Sequence, residues 1–362
     1  MSKVMKIQGD IDSGIKGILR NLLESGKVEA VFAVGDSGDG KSYFLVTDPA
    51  KLDGIRPLLP FMPENAANLL SRLTSGDTIS GKIAVVIKPC ELRAFAELVK
   101  REQAERDNFI FISPVCGGAL NFDIYNSGAL ENALPEYWKA FFAGENPADI
   151  RPTCAACEHF VPMNADITVF PDKDGCELFL NTDAAVELFK NKSSDMSEGE
   201  FDSNRIEKLK TARKAEREKL FDELKLEDMQ IKGLIDVFGR CLGCHGCSSV
   251  CPICYCALCA FDTKENEFQP PVFENELSRR GAMRVPPNTV FFHLGRITHM
   301  SISCVGCGMC ADVCPVDIPV ASIFTRVGDA VQKVFDYIPG SDFEEPVPLS
   351  TFIEDELAEV EE

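Results

Sequence analysis

Two cysteine runs in the last third of the chain can carry redox chemistry: Cys241-x-x-Cys244-x-x-Cys247-x-x-x-Cys251-Pro252 and Cys304-x-x-Cys307-x-x-Cys310-x-x-x-Cys314-Pro315. In this spacing three thiolates on a tight loop reach three irons of one cubane, and the fourth, just before a proline, serves the neighbouring cluster. The expected ligand sets are therefore Cys241, Cys244, Cys247 and Cys314 for one [4Fe–4S] cluster, and Cys304, Cys307, Cys310 and Cys251 for the other. Zinc sites ask instead for two ligand pairs separated by a longer loop, with no third cysteine leading into Cys-Pro. Disulfides would need an exported chain, whereas MSKVMKIQGD opens with no apolar signal region. The expected setting is a reducing cytoplasm.

Those runs use half of the 16 cysteines and leave Cys90, Cys116, Cys154, Cys157, Cys176, Cys254, Cys256 and Cys259. A reduced protein has no disulfide reason to keep so many, so some should bind metal. Cys154-x-x-Cys157 alone fits a redox pair or half a zinc site. Cys254, Cys256 and Cys259 crowd the first run, either as further metal ligands or as small buried hydrophobes. Cys176 follows Gly175 in an expected turn and reads as a free thiol. His245 lies inside the first loop, able to hydrogen-bond a cluster sulfur or to serve only as a loop residue.

The elements that must position these groups are legible in the apolar pattern. Ile15, Ile18, Leu19, Leu22 and Leu23 recur at helical spacing before strand Val28–Val34, and Asp36–Gly40 makes a hairpin turn to Tyr43–Val46. A helix over Ala66–Leu73, a buried strand Lys82–Ile87, a helix Glu91–Arg101 and a strand Phe109–Ile112 follow. Alternation of this kind predicts an α/β sheet, with Cys90 and Cys116 each just beyond a strand's C-terminal end, where open sheets bind ligands. Asn204–Gln230 is a charged helical stretch and Ile318–Val334 a further helix. The expected fold class is α+β: an N-terminal α/β domain over 1–183, a charged helical linker over 184–230, a dicluster ferredoxin-like domain over 231–340, and an acidic tail over 341–362.

With 362 residues the chain is long enough for more than one core, and 57 acidic against 37 basic side chains give a formal charge of −20. That balance disfavours nucleic acid and anionic membrane surfaces as partners. No apolar run reaches the ~20 residues of a membrane span.

Three stretches in the first half resemble a known family, the beta subunits of coenzyme F420-reducing hydrogenase and F420-dependent formate dehydrogenase. They are Ile87-Lys88-Pro89-Cys90 with an Arg93-containing helix, the strand leading to Cys116, and Cys154-x-x-Cys157 running into Ala165-Asp166-Ile167. The helix start Asp12-Ser13-Gly14-Ile15 adds to them, so the likeness covers roughly residues 8–170. Phe292–Met300 ahead of Cys304 is similar to the formate dehydrogenase branch. The family implies FAD beside one [4Fe–4S] cluster held by Cys90, Cys116, Cys154 and Cys157, with hydride exchanged with coenzyme F420. It also implies a separate catalytic alpha subunit for formate or hydrogen. Where the family carries a glycine-rich stretch after Ala-Asp-Ile, this chain reads Thr168-Val169-Phe170-Pro171, which leaves NAD(P) or another flavoprotein open as the two-electron carrier.

For the flavin, Lys88 and Arg93 are candidate phosphate-binding cations at the strand-end crevice, and Ser13, Gly14 and Gly17 would let the first helix approach the cofactor closely. No Gly-x-Gly-x-x-Gly or Walker loop is present. A second class of function stays open beside the enzyme subunit: a flavin-free electron-transfer adaptor between a hydrogenase or dehydrogenase and a heterodisulfide-reductase-like partner.

Overall fold

The structure, a computed structural model, describes residues 2–38, 40–76, 80–190, 196–226, 231–263, 270–281 and 289–350. Its centre is an eight-stranded mixed sheet in the order β3-β2-β4-β5-β6-β7-β1-β8. The strands are β1 (Ser2–Gln8), β2 (Ala30–Asp36), β3 (Lys41–Val46), β4 (Ile83–Val86), β5 (Phe109–Pro114), β6 (Ile167–Asp172), β7 (Gly175–Leu180) and β8 (Met196–Gly199). β2, β4, β5 and β6 run parallel, and antiparallel neighbours flank them on both sides.

Both faces of the sheet are covered, which is why β2, β4 and β5 read as unbroken apolar runs. On one face Val31, Ala33, Val86, Ile112 and Leu178 pack beneath α1 (Ile11–Glu24). On the other, Phe32, Val85, Ile87, Phe109 and Phe111 meet α2 (Ala66–Thr74) and α3 (Pro89–Lys100). Val305 and Cys307 from the second cysteine run belong to that same packed group, so the two cysteine-rich regions share a core.

Short helices α4 (Phe122–Asn126), α5 (Leu130–Ala143), α6 (Pro152–Ala155) and α7 (Asp183–Leu188) fill the connections. The sheet does not stop at the expected boundary of 183, because β8 pairs with β1. Nor is the charged stretch after it a solvated linker. It forms α8 (Ser203–Leu224), and three of its arginines reach inward: Arg205 donates to Pro171 O, Arg213 to Cys116 O, and Arg217 pairs with Glu158.

α9 (Ile231–Phe238), α10 (Gly246–Ser249), α11 (Pro270–Arg280), α12 (Thr289–Met300), α13 (Met309–Asp312) and α14 (Val320–Val334) frame the ferredoxin-type part. After α14 the chain returns to the sheet as a strap. Gly340 N donates to Glu97 Oε1 at 2.8 Å, Arg93 Nε to Pro339 O at 2.8 Å, and Asn164 Nδ2 to Gly340 O at 2.9 Å. Phe343 stacks on Phe111. The expected acidic tail from 341 is thus corrected for 341–350, which include a packed segment; 351–362 lie outside the described residues.

Cys176, expected in a turn, is buried in β7 opposite Ile7. The turn is Lys173-Asp174, and Gly175, which opens β7, sits at φ +145° with no room for a side chain, since a Cβ would fall 1.9 Å from Ile7 O. No helix among the described residues is long and apolar enough to cross a membrane.

Candidate metal centres

The first cysteine run is a loop that curls through left-handed backbone at Gly243 and His245 (φ +66° and +56°) before α10 begins. Curling aims backbone N–H groups at sulfur: Gly243 N donates to Cys241 Sγ at 3.4 Å. The second run repeats the device at Gly306 and Gly308 (φ +69° and +85°). Burial pushes the Cys241 thiol up, and the neighbouring Cys244 and Cys314 thiols add to the shift. Cys314, from the second run, therefore lies beside Cys241; its Sγ accepts from Ile318 N at 3.3 Å.

The exchange is reciprocal. A small cavity in the second run is walled by Cys304, Cys307, Cys310 and, from the first run, Cys251. Met309, Phe324 and Arg296 complete it. Burial raises the Cys304 thiol to about 11 and the Cys247 thiol to about 11, so both would be protonated at neutral pH without a metal. Binding a cluster replaces those protons. Among the described residues no three His, Cys, Asp or Glu side chains converge on a single ion, whereas a cubane spreads its thiolates over four irons.

The four remaining candidate thiols come together as well. Cys90 is the second residue of α3, whose start is fixed by the buried Glu91: its carboxylate accepts from Lys88 N at 2.9 Å and Ala66 N at 3.0 Å. Cys116 follows β5, Cys154 lies on α6 and Cys157 just after it. Ala119 N donates to Cys154 Sγ at 3.4 Å and Gly118 N to Cys116 Sγ at 3.3 Å. Gly118 (φ +105°) can be only glycine here, because a Cβ would lie 3.2 Å from Cys154 Cβ and 2.9 Å from Ile150 Cδ1. Burial drives the Cys90 thiol well above its ordinary value, with Glu91, Cys307, Cys116 and Cys154 adding to it. Cys90, Cys154 and Cys307 also pack around Met62, Ala119 and Met309, which sets this group against the second run's cavity.

Buried arginines join these groups, and no sequence signal announced them. Arg151, 1% exposed, pairs through Nε with Asp312 at 2.5 Å and donates to Cys307 O at 3.0 Å, tying the Cys154 segment to the second run. Arg213 donates to Cys116 O at 3.0 Å and lies over Phe160. Arg296 donates to Cys247 Sγ at 3.1 Å. Long side chains reaching across the fold leave no periodic trace in a sequence.

Beside Cys116 the sheet opens into two clefts that share Leu58, Leu59, Pro60 and Trp138. The smaller is a tight crevice lined by Lys88, Cys116, Gly117 and Tyr137 at the ends of β4 and β5. The larger, about 510 Å³, runs past Ser13, Lys16 and Arg56 at the start of α1 and has the size of a ligand pocket. Lys88 and Ser13 thus line clefts, although Lys88 Nζ already donates to Phe61 O at 2.8 Å and Ser13 N to the capping Asp10 at 2.8 Å.

Three expected flavin contacts are placed otherwise. Arg93 is buried, turned to Pro339 O, and takes no part in the crevice. Gly14 lies against β1, where a Cβ would meet Ile7 Cγ2 at 2.6 Å, so its glycine serves helix–sheet packing. Gly17 has open space around it and lines neither cleft. His245 Nδ1 pairs with Asp262 at 2.6 Å, and its ring stacks on Phe292. Cys254 Sγ lies 3.4 Å from Met300 Sδ, while Cys256 is exposed.

A 4Fe-4S binding domain matches residues 301–320, the stretch that carries the second run. F420-dependent formate dehydrogenase subunit beta of Methanocaldococcus jannaschii is 26% identical over 92% of this chain and 93% of its own length. F420-dependent formate dehydrogenase 1 subunit beta of Methanococcus maripaludis is also 26% identical, over 94% of each. Among solved structures, a chain of the F420-reducing [NiFe] hydrogenase complex from Methanosarcina barkeri aligns with a TM-score of 0.44 at 14% identity, covering 63% of this chain and 94% of that one. The chain is thus a relative, over more than nine-tenths of its length, of the F420-dependent formate dehydrogenase beta subunits, the resemblance its cysteine pattern indicated.

Proposed function

We propose that this protein is the iron–sulfur flavoprotein subunit of an oxidoreductase complex, moving electrons between three [4Fe–4S] clusters and an FAD that exchanges hydride with coenzyme F420. The ligand sets are Cys241, Cys244, Cys247 and Cys314; Cys304, Cys307, Cys310 and Cys251; and Cys90, Cys116, Cys154 and Cys157. The observation that carries the reading is the last set: Cys116 lines a cleft at the strand ends and lies near the half-buried Cys90 and Cys154, which pack with Cys307 of the second run. Such an arrangement puts a two-electron site and a one-electron path side by side.

FAD, when bound, supplies the conversion between a hydride and single electrons. The chain's part is to hold it in the clefts along Leu58–Pro60 and Trp138, with Lys16 and Arg56 near the α1 end and Lys88 and Tyr137 near Cys116. Burial by Tyr137, Phe141 and Phe160 keeps water from the thiols. Formate or hydrogen is activated on a separate catalytic subunit, and a heterodisulfide-reductase-like subunit is a further candidate partner.

Anaerobically purified protein tests the reading. It should contain about twelve irons with matching acid-labile sulfide per chain, release flavin fluorescence on denaturation, and pass electrons to F420 in preference to NAD or NADP when joined to its partner subunit. Full iron without any flavin affinity would replace it with the adaptor function; a colourless zinc protein would end both.

A further inference from the structure

His293, Arg296 and Met300 stand at i, i+3 and i+7 on α12 and are all buried, so one face of this helix is turned into the protein. Met300 Sδ lies 3.5 Å from Cys251 Sγ. Arg296 occupies the junction between the two ferredoxin-type thiol sets. It donates to Cys247 Sγ and to Cys247 O, each at 3.1 Å, and its side chain walls the cavity of Cys251, Cys304, Cys307 and Cys310. One cation touches a thiol of the first set and borders the second.

Its electrostatic situation differs from that of the other buried arginine at a junction. Arg151 has the Asp312 carboxylate at 2.5 Å. Arg296, 4% exposed, meets no carboxylate among the described residues; its partners are the Cys247 and Cys254 sulfurs, the Cys247 carbonyl and the rings of Phe324 and Phe292. A buried guanidinium is unfavourable unless negative charge is set beside it. The thiolates of a bound cubane would supply that charge from both ferredoxin-type sets, and each reduction adds one more unit. A cation fixed beside such a group favours the reduced form, and a hydrogen bond to its sulfur acts in the same direction.

We propose that Arg296 is the shared counter-ion of both ferredoxin-type clusters, a positioning residue that holds their reduction potentials up. The Cys241-run cluster gains most, since its Cys247 thiolate receives the hydrogen bond. This rests on the cluster assignment proposed above. By raising the first cluster more than the second, Arg296 shifts an electron shared between them toward the Cys241 run.

The test is an anaerobic, EPR-monitored redox titration of wild type, R296M and R296K, each after its iron and acid-labile sulfide have been counted. At a fixed solution potential the reduced-to-oxidised ratio of the Cys241-run cluster should fall at least about tenfold in R296M, which is 59 mV for a one-electron couple. The Cys304-run cluster should move less and in the same direction, R296K should recover part of the shift, and the Cys90 set, which Arg296 does not touch, should stay where it is. Fully loaded R296M with wild-type ratios overturns the proposal. Where R296M does not load iron, R296K decides: a several-fold fall supports the proposal and a wild-type ratio overturns it. Wild-type protein lacking iron and sulfide would instead sink the cluster assignment.

Discussion

Replacing Gly340 by alanine should loosen the strap that returns from α14 to α3. Gly340 sits at φ +68°, and an added Cβ would lie 2.0 Å from Arg93 O and 2.5 Å from Arg93 C. Left-handed backbone alone costs an L-residue about 1–2 kcal/mol. The clash is with main chain on both sides, so no side chain can rotate away and the strap must lift. Lifting breaks the bonds from Gly340 N to Glu97, from Arg93 to Pro339 O and from Asn164 to Gly340 O, each worth about 0.5–1.5 kcal/mol. The whole effect is then roughly 3–6 kcal/mol, on the order of 5–10 °C in apparent melting temperature. Gly26 provides the control: it has nearly the same φ, +67°, but nothing within 4 Å of a Cβ, so G26A should show only the backbone cost. Scanning calorimetry of cluster-loaded G340A and G26A at one scan rate makes the comparison. Equal losses in the two variants would refute the close approach of strap and helix.

Other perturbations follow from the site. R151M strands the buried Asp312 carboxylate and should cost about 3–5 kcal/mol, visible as a lower urea midpoint; R151M combined with D312L should recover part, and a neutral R151M would show that the pair carries no such burden. C314S should remove the spectroscopic signature of the cluster whose other ligands are Cys241, Cys244 and Cys247 while sparing its neighbour, and C251S should do the reverse; loss of the cluster within the mutated run instead would refute the crossing. Burial, with Glu177 adding to it, pushes the Cys176 thiol up to about 12. Its thiolate is therefore scarce below that pH, and native protein at pH 8 should leave Cys176 unalkylated by iodoacetamide in peptide mass spectra, with labelling appearing only after unfolding or toward strongly alkaline pH. Prompt native labelling would contradict its place inside β7.

The thiols and the central strands were readable because their signals are local. Cys-x-x-Cys spacing is a property of one loop, and Ile83–Val86 and Phe109–Pro114 are apolar throughout because both sheet faces are covered. The β6–β7 hairpin also leaves a local signal, a turn just ahead of Cys176 between two apolar runs, although the pairing of β7 with β1 on its other side does not. α8 misled in the opposite way. Its abundant charge describes an exposed helix, yet Arg205 and Arg213 carry their guanidinium groups inward over Phe170 and Phe160. An arginine whose stem is buried and whose head finds carbonyls looks identical, in one dimension, to one in solvent. The strap was hidden for a similar reason: acidic residues in 341–362 masked Phe343 and Val347, whose partners lie far away along the chain.

The place of β1 in the sheet bears on biosynthesis. It is translated before every other described strand, yet it lies between β7 and β8. At about 5–20 residues per second, a strand that must wait for residue 199 spends roughly 10–40 s without its ladder partners. On the cluster assignment proposed above, iron delivery waits longer still, since the Cys241 loop would share its cluster with a thiol translated 73 positions later, Cys314. A nascent chain of this kind invites chaperone protection of its unpaired strand edge.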